Sequence, residues 1–367
     1  MDTESFRQHA HELVDWMADY FENVEDYPVL PNVKPGDILD QLPKSAPQKA
    51  ESFDQIFKDF KEIIVPGITH WESPNFMAYF PANKSKASVL GEMLMSTLGS
   101  QCMIWLTSPA AAELEEQVMN WLRDMIGLDK SFTGVIQDTA STATLCAILT
   151  AREKFSNYQV NERGVKEEKF VLYTSAQIHS SIDKAVKIAG LGSENLRKIA
   201  VDESFAMQTD LLESQIQADI ALGFKPLCVI SAIGTTSTTA IDPIADISSI
   251  CKQYKIWHHV DAAYAGTALV CPEMRWMAEG ADLADSFVFN PHKWMFTNFD
   301  CTAYFVKDPA SLINTFSITP DYLKTNVDNE VKNYRDWGIP LGRRFRALKL
   351  WFVIREMGVS GIQEKIR

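Results

Sequence analysis

Lys293 is the residue of this sequence best placed to act as a nucleophile. It follows the apolar run Ser286–Phe289, which predicts a buried strand, and Pro291 turns the chain between the two. An ammonium group at the end of a buried strand is costly unless its pKa falls or a partner is present. A lysine with a lowered pKa can form a Schiff base with an aldehyde. From these residues alone, a surface lysine whose charge reaches water is an equally good interpretation.

Three other groups follow predicted strands in the same way. Asp261 comes after the predicted buried strand 256–260, where it needs a cation or a hydrogen-bond donor to stay ionised. Ser141 opens a predicted helix whose free N–H groups could bind a phosphate, although plain helix capping is the more common use. His179 adds an imidazole near the same edge, although a lone histidine is more often structural. Lys293, Asp261, the helix start at Ser141 and the flat space that two alanines leave after Asp261 together predict a site for pyridoxal phosphate.

Strands and helices alternate from residue 134 onward, which predicts a mostly parallel sheet covered by helices on both faces. Ligands of such sheets bind at the carboxyl ends of the strands. The adjacent His258 and His259 point to opposite faces of one strand, so we predict no metal site there. The predicted strands are 134–137, 170–173, 198–201, 227–233, 256–260, 286–289 and 302–306, and the predicted helices between them are 141–154, 180–189, 211–221 and 244–254.

The first part of the chain has a different pattern. An amphipathic helix of roughly 20 residues is followed by a connector with three prolines between residues 27 and 36, and by a second helix over 53–64. A helix and an extended arm have little of their own to fold around, so we expect them to pack on another subunit; packing on their own domain is nearly as good an interpretation. The aromatic-rich segment 70–81 predicts a pocket or a subunit interface.

The composition excludes several classes of protein. A net charge of −13 and a pI near 5.1 argue against a surface for nucleic acid or anionic membrane. The longest apolar runs have the length of strands, and the first residues lack the pattern of a signal peptide, so we expect no membrane span. The six cysteines are scattered, which favours reduced residues of a cytoplasmic protein.

Several motifs carry a resemblance to a known family. Residues 290–294 (NPHKW) resemble the pyridoxal-lysine motif of group II amino-acid decarboxylases. The segments 259–266 (HVDAAYAG), 78–81 (AYFP) and 339–346 (IPLGRRFR) are similar to the aromatic L-amino-acid decarboxylase branch. This resemblance implies the aspartate aminotransferase-like fold (fold type I) and a homodimer with its active sites at the interface. It also implies a helical dimerisation arm at residues 1–84 and a large α/β domain that binds pyridoxal phosphate at 85–367. In the family a small C-terminal domain usually follows the position of Arg367.

The resemblance also implies roles for matched positions. Lys293 would hold the cofactor covalently, and Asp261 would keep its pyridine nitrogen protonated. Tyr322 would donate the proton that replaces the carboxylate at Cα. The other matched positions are Ala263 and His179 on the two faces of the cofactor ring, Ala140, Ser141 and Asn290 at its phosphate, Thr236 and His292 near the reacting groups, and Trp71, Tyr79, Phe80, Pro81, Gln101, Met103 and Gly342 around the substrate side chain, with Gln101 and Met103 reaching in from the other subunit.

We therefore expect decarboxylation of aromatic L-amino acids, including tryptophan, tyrosine, phenylalanine, DOPA and 5-hydroxytryptophan, to the aryl-ethylamine and CO2. Gly342 leaves room for a catechol or an indole, whereas Ala82, Gln101 and Met103 depart from the residues usual in the family. The main alternative is an aromatic acetaldehyde synthase, which in this family carries phenylalanine in place of Tyr322 or asparagine in place of His179. A second alternative is a non-catalytic chain that acts only through dimer contacts.

Overall fold

The computed structural model describes residues 1–80, 82–166, 168–318 and 330–367, and it divides into two compact units, Met1–Pro81 and Ala82–Arg367. The first unit contains the helices α1 (Thr3–Glu22), α2 (Asp37–Gln41) and α3 (Phe53–Asp59). No helix in the described ranges is both long and apolar enough to cross a membrane.

Local sequence signals set the helices of the first unit. Asp2 caps α1 by accepting a hydrogen bond from the Ser5 N–H (2.8 Å), as expected for an N-cap aspartate. Trp16 of α1 makes edge contacts with Phe57 of α3 and with Phe60 in the turn that follows α3. The predicted helix over 53–64 is α-helical only to Asp59 and continues as a π-helical turn, Phe60–Ile64. None of the residues in α1, α2 or α3 is buried.

A seven-stranded mixed sheet forms the centre of the second unit, and its strand order is β1-β7-β6-β5-β4-β2-β3. Its strands are β1 (Thr133–Gln137), β2 (Phe170–Ser175), β3 (Leu196–Ile199), β4 (Lys225–Ala232), β5 (Trp257–Asp261), β6 (Ser286–Phe289) and β7 (Thr302–Val306). All neighbouring pairs are parallel except those made by β7, which runs antiparallel to β1 and to β6. The predicted mostly parallel α/β sheet is confirmed, with β7 as the exception.

Helices cover both faces of this sheet. They are α4 (Lys86–Leu98), α5 (Pro109–Met125), α6 (Ala140–Phe155), α7 (Gln159–Arg163), α8 (Ser181–Ile188), α9 (Thr209–Ala221), α10 (Ile244–Tyr254), α11 (Pro291–Trp294), α12 (Pro309–Phe316) and α13 (Arg346–Ile366). Alternate residues of β6 show the two layers, because Phe287 and Phe289 pack with α5 and α13, whereas Val288 packs with α6 and α8. β2, β5, β6 and β7 are buried along their whole length because each face of the sheet meets a helix layer.

The third strand differs from the prediction of 198–201. β3 begins at Leu196 and ends at Ile199. Val201 instead leaves the sheet and makes an isolated antiparallel bridge to Met207, across a turn in which Asp202 accepts hydrogen bonds from the Ser204 and Ala206 N–H groups. A short side-chain-stabilised turn therefore competes with the sheet for this residue.

Candidate active site

The carboxyl ends of four strands meet at one edge of the sheet. β4, β5 and β6 are parallel neighbours, and β1 runs in the same direction as β6 because both are antiparallel to β7. The segments that follow these strands, 138–141, 234–239, 262–264 and 290–294, therefore lie along the same edge. Lys293, Asp261 and Ser141, which the sequence analysis singled out, all lie at or after these strand ends.

Asp261 is the last residue of β5 and is buried. Its Oδ1 accepts a hydrogen bond from the Ala263 N–H (3.0 Å). Burial raises the pKa of the Asp261 carboxyl group, and this N–H together with the charges of Lys293 and His179 opposes the rise. The carboxylate is thus desolvated and close to two cationic or potentially cationic groups.

Lys293 lies in α11, the single helical turn that begins directly after β6. Its backbone is held on both sides, because the Lys293 N–H donates to the Asn290 carbonyl (3.0 Å) and its carbonyl accepts from the Asn83 N–H (3.2 Å). Burial lowers the pKa of the Lys293 amine, and the nearby Asp261 opposes this shift. A lowered pKa increases the fraction of neutral amine, which is the nucleophilic form.

The start of α6 presents free N–H donors. Thr139 is its N-cap, and the Thr139 hydroxyl accepts from the Thr142 N–H (3.3 Å). Within the described ranges, no acceptor binds the N–H groups of Ala140 and Ser141, as is usual for the first turn of a helix. These positions follow the carboxyl end of β1.

Asn290 reaches the same edge from β6. The Thr302 hydroxyl lies 2.7 Å from Oδ1 of Asn290 and 3.1 Å from the Asp138 carbonyl, so it joins β6 to the segment that leads into α6. Because Oδ1 accepts from this hydroxyl, the amide nitrogen of buried Asn290 is left as a donor with no acceptor among the described residues. The sequence analysis missed Thr302, because nothing in its local pattern distinguishes it from any other strand threonine.

His292 and His179 have assigned orientations. Nδ1 of buried His292 accepts from the Cys301 N–H (3.0 Å), and burial lowers the His292 pKa to about 4, so the ring is neutral with its proton on Nε2. Nδ1 of exposed His179 accepts from the Ser181 N–H (3.1 Å), which leaves Nε2 as its donor. Ala263 is half-buried, and its carbonyl accepts from the Asn290 N–H (3.0 Å). Thr236 is exposed in the loop after β4.

Gln101, Met103 and Gly342 form a second group, in the segments that border β1. Oε1 of Gln101 accepts from the Arg343 N–H (2.7 Å), and the Met103 carbonyl accepts from the Arg335 N–H (2.8 Å). A Cβ at Gly342 would lie 3.3 Å from Nε2 of Gln101. These three predicted pocket residues are therefore brought together within one chain.

The remaining predicted residues belong to the first unit or lie outside the described ranges. Trp71 stacks on Tyr79 at a centroid distance of 5.5 Å and makes an edge contact with Phe80 at 5.6 Å. These rings form an aromatic cluster within Met1–Pro81. Pro81 and Tyr322 lie outside the described residues.

The adjacent histidines of β5, His258 and His259, bind hydroxyl groups on neighbouring elements. Buried His258 bridges the hydroxyls of Ser231 (2.7 Å) and Ser248 (2.9 Å). Buried His259 bridges those of Thr144 (3.0 Å) and Ser286 (2.8 Å). Both imidazoles thus use their two nitrogens in hydrogen bonds that join neighbouring elements, which is a structural use.

The chemistry of these groups fits pyridoxal phosphate. The second oxygen of the Asp261 carboxylate receives no hydrogen bond from the described residues and can accept one from a pyridinium N–H. The N–H groups of Ala140 and Ser141, with the Asn290 amide, offer donors of the kind that phosphate oxygens require. Lys293 offers the amine for an aldehyde.

Comparison with known proteins gives the family. Residues 35–367 match the pyridoxal-dependent decarboxylase conserved domain. The chain is 44% identical to tyrosine decarboxylase 2 of Narcissus pseudonarcissus, over all of this chain and 75% of the relative, and 44% identical to phenylacetaldehyde synthase of Arabidopsis thaliana, over all of this chain and 76% of the relative. The crystal structure of Catharanthus roseus tryptophan decarboxylase in complex with L-tryptophan matches with a TM-score of 0.92 and 41% identity, over 99% of this chain and 77% of that one. The chain therefore belongs to the pyridoxal-dependent decarboxylase family and has the fold of its type I members.

Proposed function

We propose that the chain decarboxylates aromatic L-amino acids to the corresponding aryl-ethylamines and CO2, with pyridoxal phosphate as its cofactor. The observation that carries the proposal is the pairing of Lys293 and Asp261 at the ends of two adjacent strands. The relatives named tyrosine and tryptophan decarboxylase support the aromatic class of substrate.

Pyridoxal phosphate, when bound, supplies an electrophilic aldehyde and a ring that takes up the electron pair released when the Cα–carboxylate bond breaks. We assign to Lys293 the amine that holds this aldehyde. Asp261 is the acceptor for the ring N–H, and keeping that nitrogen protonated strengthens the electron demand of the ring. The N–H groups of Ala140 and Ser141 and the amide of Asn290 are assigned as hydrogen-bond donors to the phosphate.

The residues around the reacting bond act by position and by protonation state. Neutral His292 and the exposed hydroxyl of Thr236 are assigned to the surroundings of the substrate carboxylate. His179 and Ala263 are assigned to opposite faces of the ring. Tyr322, which lies outside the described residues, is assigned as the donor of the proton that replaces CO2 at Cα. The aromatic side chain of the substrate is assigned to Trp71, Tyr79, Phe80, Pro81, Gln101, Met103 and Gly342.

An aromatic acetaldehyde synthase is the second candidate, because one relative with 44% identity is named phenylacetaldehyde synthase. The two activities differ in product. Decarboxylation yields the amine, whereas oxidative deamination yields the aldehyde and consumes oxygen. Tyr322 and His179 are of the types that the sequence analysis associates with the decarboxylase, so we favour the amine as the main product.

We further propose a homodimer whose subunits meet through the N-terminal arm (1–84) and α4. The arm helices contain no buried residue, and α4 exposes Leu90, Met93, Leu94 and Leu98. A second copy is the expected occupant of this apolar surface, because Gln101 and Met103 are proposed to complete a neighbouring subunit's pocket. A cytoplasmic location is also proposed, since all six cysteines are free.

The test of the reaction is a product assay with the purified protein and pyridoxal phosphate over a panel of aromatic amino acids. We expect the amine and CO2 in equal amounts and little hydrogen peroxide. Borohydride treatment followed by peptide mass spectrometry should place the reduced cofactor on Lys293, and Lys293→Ala should abolish that adduct. Aldehyde and peroxide as the main products would replace the decarboxylase with the synthase, and an absence of any adduct would reject both.

The test of the homodimer is light scattering of Leu94→Asp during size-exclusion chromatography. The charge should convert dimers to monomers, because it places a carboxylate in the apolar surface of α4. Leu222→Asp is the matched control, since Leu222 is an exposed leucine at the end of α9. A wild-type protein that elutes as a monomer would contradict the proposal.

A further inference from the structure

The Gln101 side chain is held on a rigid platform. Its Oε1 accepts from the Arg343 N–H (2.7 Å), while the Cys102 N–H donates to the Arg343 carbonyl (3.0 Å). The Thr107 hydroxyl binds the Gln101 carbonyl (2.8 Å). Gln101 is thus held by one hydrogen bond to its side chain and one to its backbone carbonyl, and the neighbouring Cys102 ties its segment to that of Arg343.

The platform itself is anchored in the core. The buried Arg343 guanidinium donates to Oε1 of buried Glu115 (2.6 Å) and to the Ile136 carbonyl (2.9 Å), and it lies over the Tyr334 ring at 4.8 Å. An arginine with this many fixed partners cannot move without breaking a buried ion pair. The backbone N–H that orients Gln101 is therefore fixed in place.

This geometry decides which end of the Gln101 amide is available. A backbone N–H can only donate, so the atom that faces Arg343 is the carbonyl oxygen and the amide nitrogen points elsewhere. Nε2 lies beside Gly342, where an added Cβ would be 3.3 Å away, and in the described part of the chain it donates to no acceptor. Gln101 thus presents two N–H donors next to a gap left by a missing side chain.

The segment that carries Gly342 reaches the active-site edge of the sheet. The Gln137 amide, at the last position of β1, donates to the Trp337 carbonyl (2.9 Å), and a Cβ at Gly338 would collide with the same amide. Gln137 is followed by the residues that lead into the phosphate-binding start of α6. The gap at Gly342 therefore borders the edge at which substrate is expected.

We propose that Gln101 is a specificity-determining residue that recognises a hydroxyl group on the aromatic ring of the substrate, so that hydroxylated aromatic amino acids are preferred over their unsubstituted counterparts. The proposal rests on the proposed function and names its substrate class more narrowly. Gly342 borders the same amide, because an added Cβ there would lie 3.3 Å from Nε2 of Gln101.

The chemical reason is the cost of an unmatched donor. When an aromatic ring covers the amide and carries no hydroxyl, the two N–H groups lose water and gain no acceptor. A phenolic or hydroxyindole oxygen supplies that acceptor. A pocket built to bind a hydroxyl group therefore rejects the analogue that lacks it, more strongly than an apolar pocket rejects an added hydroxyl. Because the amide is already oriented, little side-chain entropy is lost on binding.

The experiment compares kcat/KM for tyrosine with that for phenylalanine, and for 5-hydroxytryptophan with that for tryptophan. The wild-type protein should favour the hydroxylated member of each pair by about 10-fold. In Gln101→Leu the preference should disappear through a rise in KM for the hydroxylated substrates. The kcat/KM for phenylalanine and tryptophan should rise, because the variant no longer desolvates two unmatched N–H groups. Gln217→Leu, the same change on the exposed face of α9, should keep the wild-type preference.

The outcomes separate this inference from the function on which it rests. Aryl-ethylamine production with no preference for the hydroxylated member, or an equal loss on both members in Gln101→Leu, would overturn the role of Gln101 and leave the decarboxylase intact. An absence of amine from every substrate would instead reject the proposed function. If Gln101→Leu does not fold, Gln101→Met preserves the length of the side chain and replaces it in the experiment. A wild-type protein with no preference for hydroxylated substrates would by itself overturn the role of Gln101.

Discussion

A buried ion pair joins the two helices that support the loop after Lys293. Nζ of Lys349 on α13 is fully buried and lies 2.9 Å from Oε2 of Glu92 on α4. Glu92 also binds the Arg344 guanidinium and accepts from the amide of Asn298 (3.3 Å), which belongs to that loop. We predict that Glu92→Gln destabilises the protein more than Lys349→Met does. The double variant should lose less free energy of unfolding than the two single variants lose in sum.

The magnitudes follow from what each variant leaves behind. Glu92→Gln leaves an ammonium group fully buried without its carboxylate, which costs about 4 kcal/mol. Lys349→Met leaves a carboxylate that keeps Arg344 and is 22% exposed, so we expect about 2 kcal/mol. The double variant buries no unpaired charge at this point and loses only packing and the Arg344 contact, about 3 kcal/mol. The coupling between the two positions is therefore about 3 kcal/mol.

The assay is thermal unfolding of the four proteins at one pH, one protein concentration and saturating pyridoxal phosphate, since cofactor binding and assembly both shift the midpoint. A change of 1 kcal/mol corresponds to roughly 2 °C for a chain of this size. We expect midpoints lower by about 8 °C for Glu92→Gln, about 4 °C for Lys349→Met and about 6 °C for the double variant. A double variant lower by the full sum of about 12 °C would refute the ion-pair reasoning.

Three further predictions concern packing, the phosphate site and pH. Gly91→Ala on α4 should destabilise the protein by about 1–3 kcal/mol, because the added Cβ would lie 2.7 Å from the Lys349 Cα. Gly361→Ala on α13 should instead stabilise the protein, because its Cβ meets only Met357, at 3.6 Å, and alanine favours a helix over glycine. Equal thermal midpoints for the two variants would contradict this reasoning. Thr302→Val should weaken pyridoxal phosphate binding about 5-fold by freeing the Asn290 amide, and Thr302→Ser should not; titration of the cofactor-free protein by fluorescence measures both. Burial lowers the pKa of His258 and His259 to about 3, so below about pH 6.5 the unfolded chain takes up protons that the folded chain excludes. The thermal midpoint of the wild-type protein should therefore fall between pH 7 and pH 5. The midpoint of His258→Asn should fall less steeply over the same range.

The sheet and the strand-end groups were predictable because their signals are local. The run Ser286–Phe289 is apolar and is ended by a proline, and β6 has those bounds in the structure. Asp261 and Lys293 follow such runs, and the strand-end rule places them together without knowledge of the tertiary structure. The start of α6 was predicted at Ser141, one residue after its observed start, because small hydroxylated residues precede a helical run there.

Other features depend on partners that are remote in sequence, and these could not be predicted. Thr302 acquires its role only because β7 inserts between β1 and β6. From sequence alone, Lys349 would be assigned to the exposed face of a helix. In the structure α4 covers it, so closely that a Cβ at Gly91 would touch the Lys349 backbone. The orientation of the Gln101 amide is set by an N–H group 242 positions away. In such cases the residue type shows which hydrogen bonds or ion pairs a side chain can form. Which partner it actually binds is decided by the packing of elements that are remote in sequence.

The position of β7 has a consequence for synthesis of the protein. β1 has β7 as its sheet neighbour among the described strands, and the Thr302 hydroxyl reaches a carbonyl 164 positions earlier in the chain. While the ribosome is still making the middle of the protein, β1, the edge strand that leads into α6, has no strand to pair with. The start of α6 has then been synthesised, whereas Asn290, on the other side of the phosphate site, has not. Capture of the cofactor by the nascent chain should therefore occur late and in one step, after β7 has left the exit tunnel.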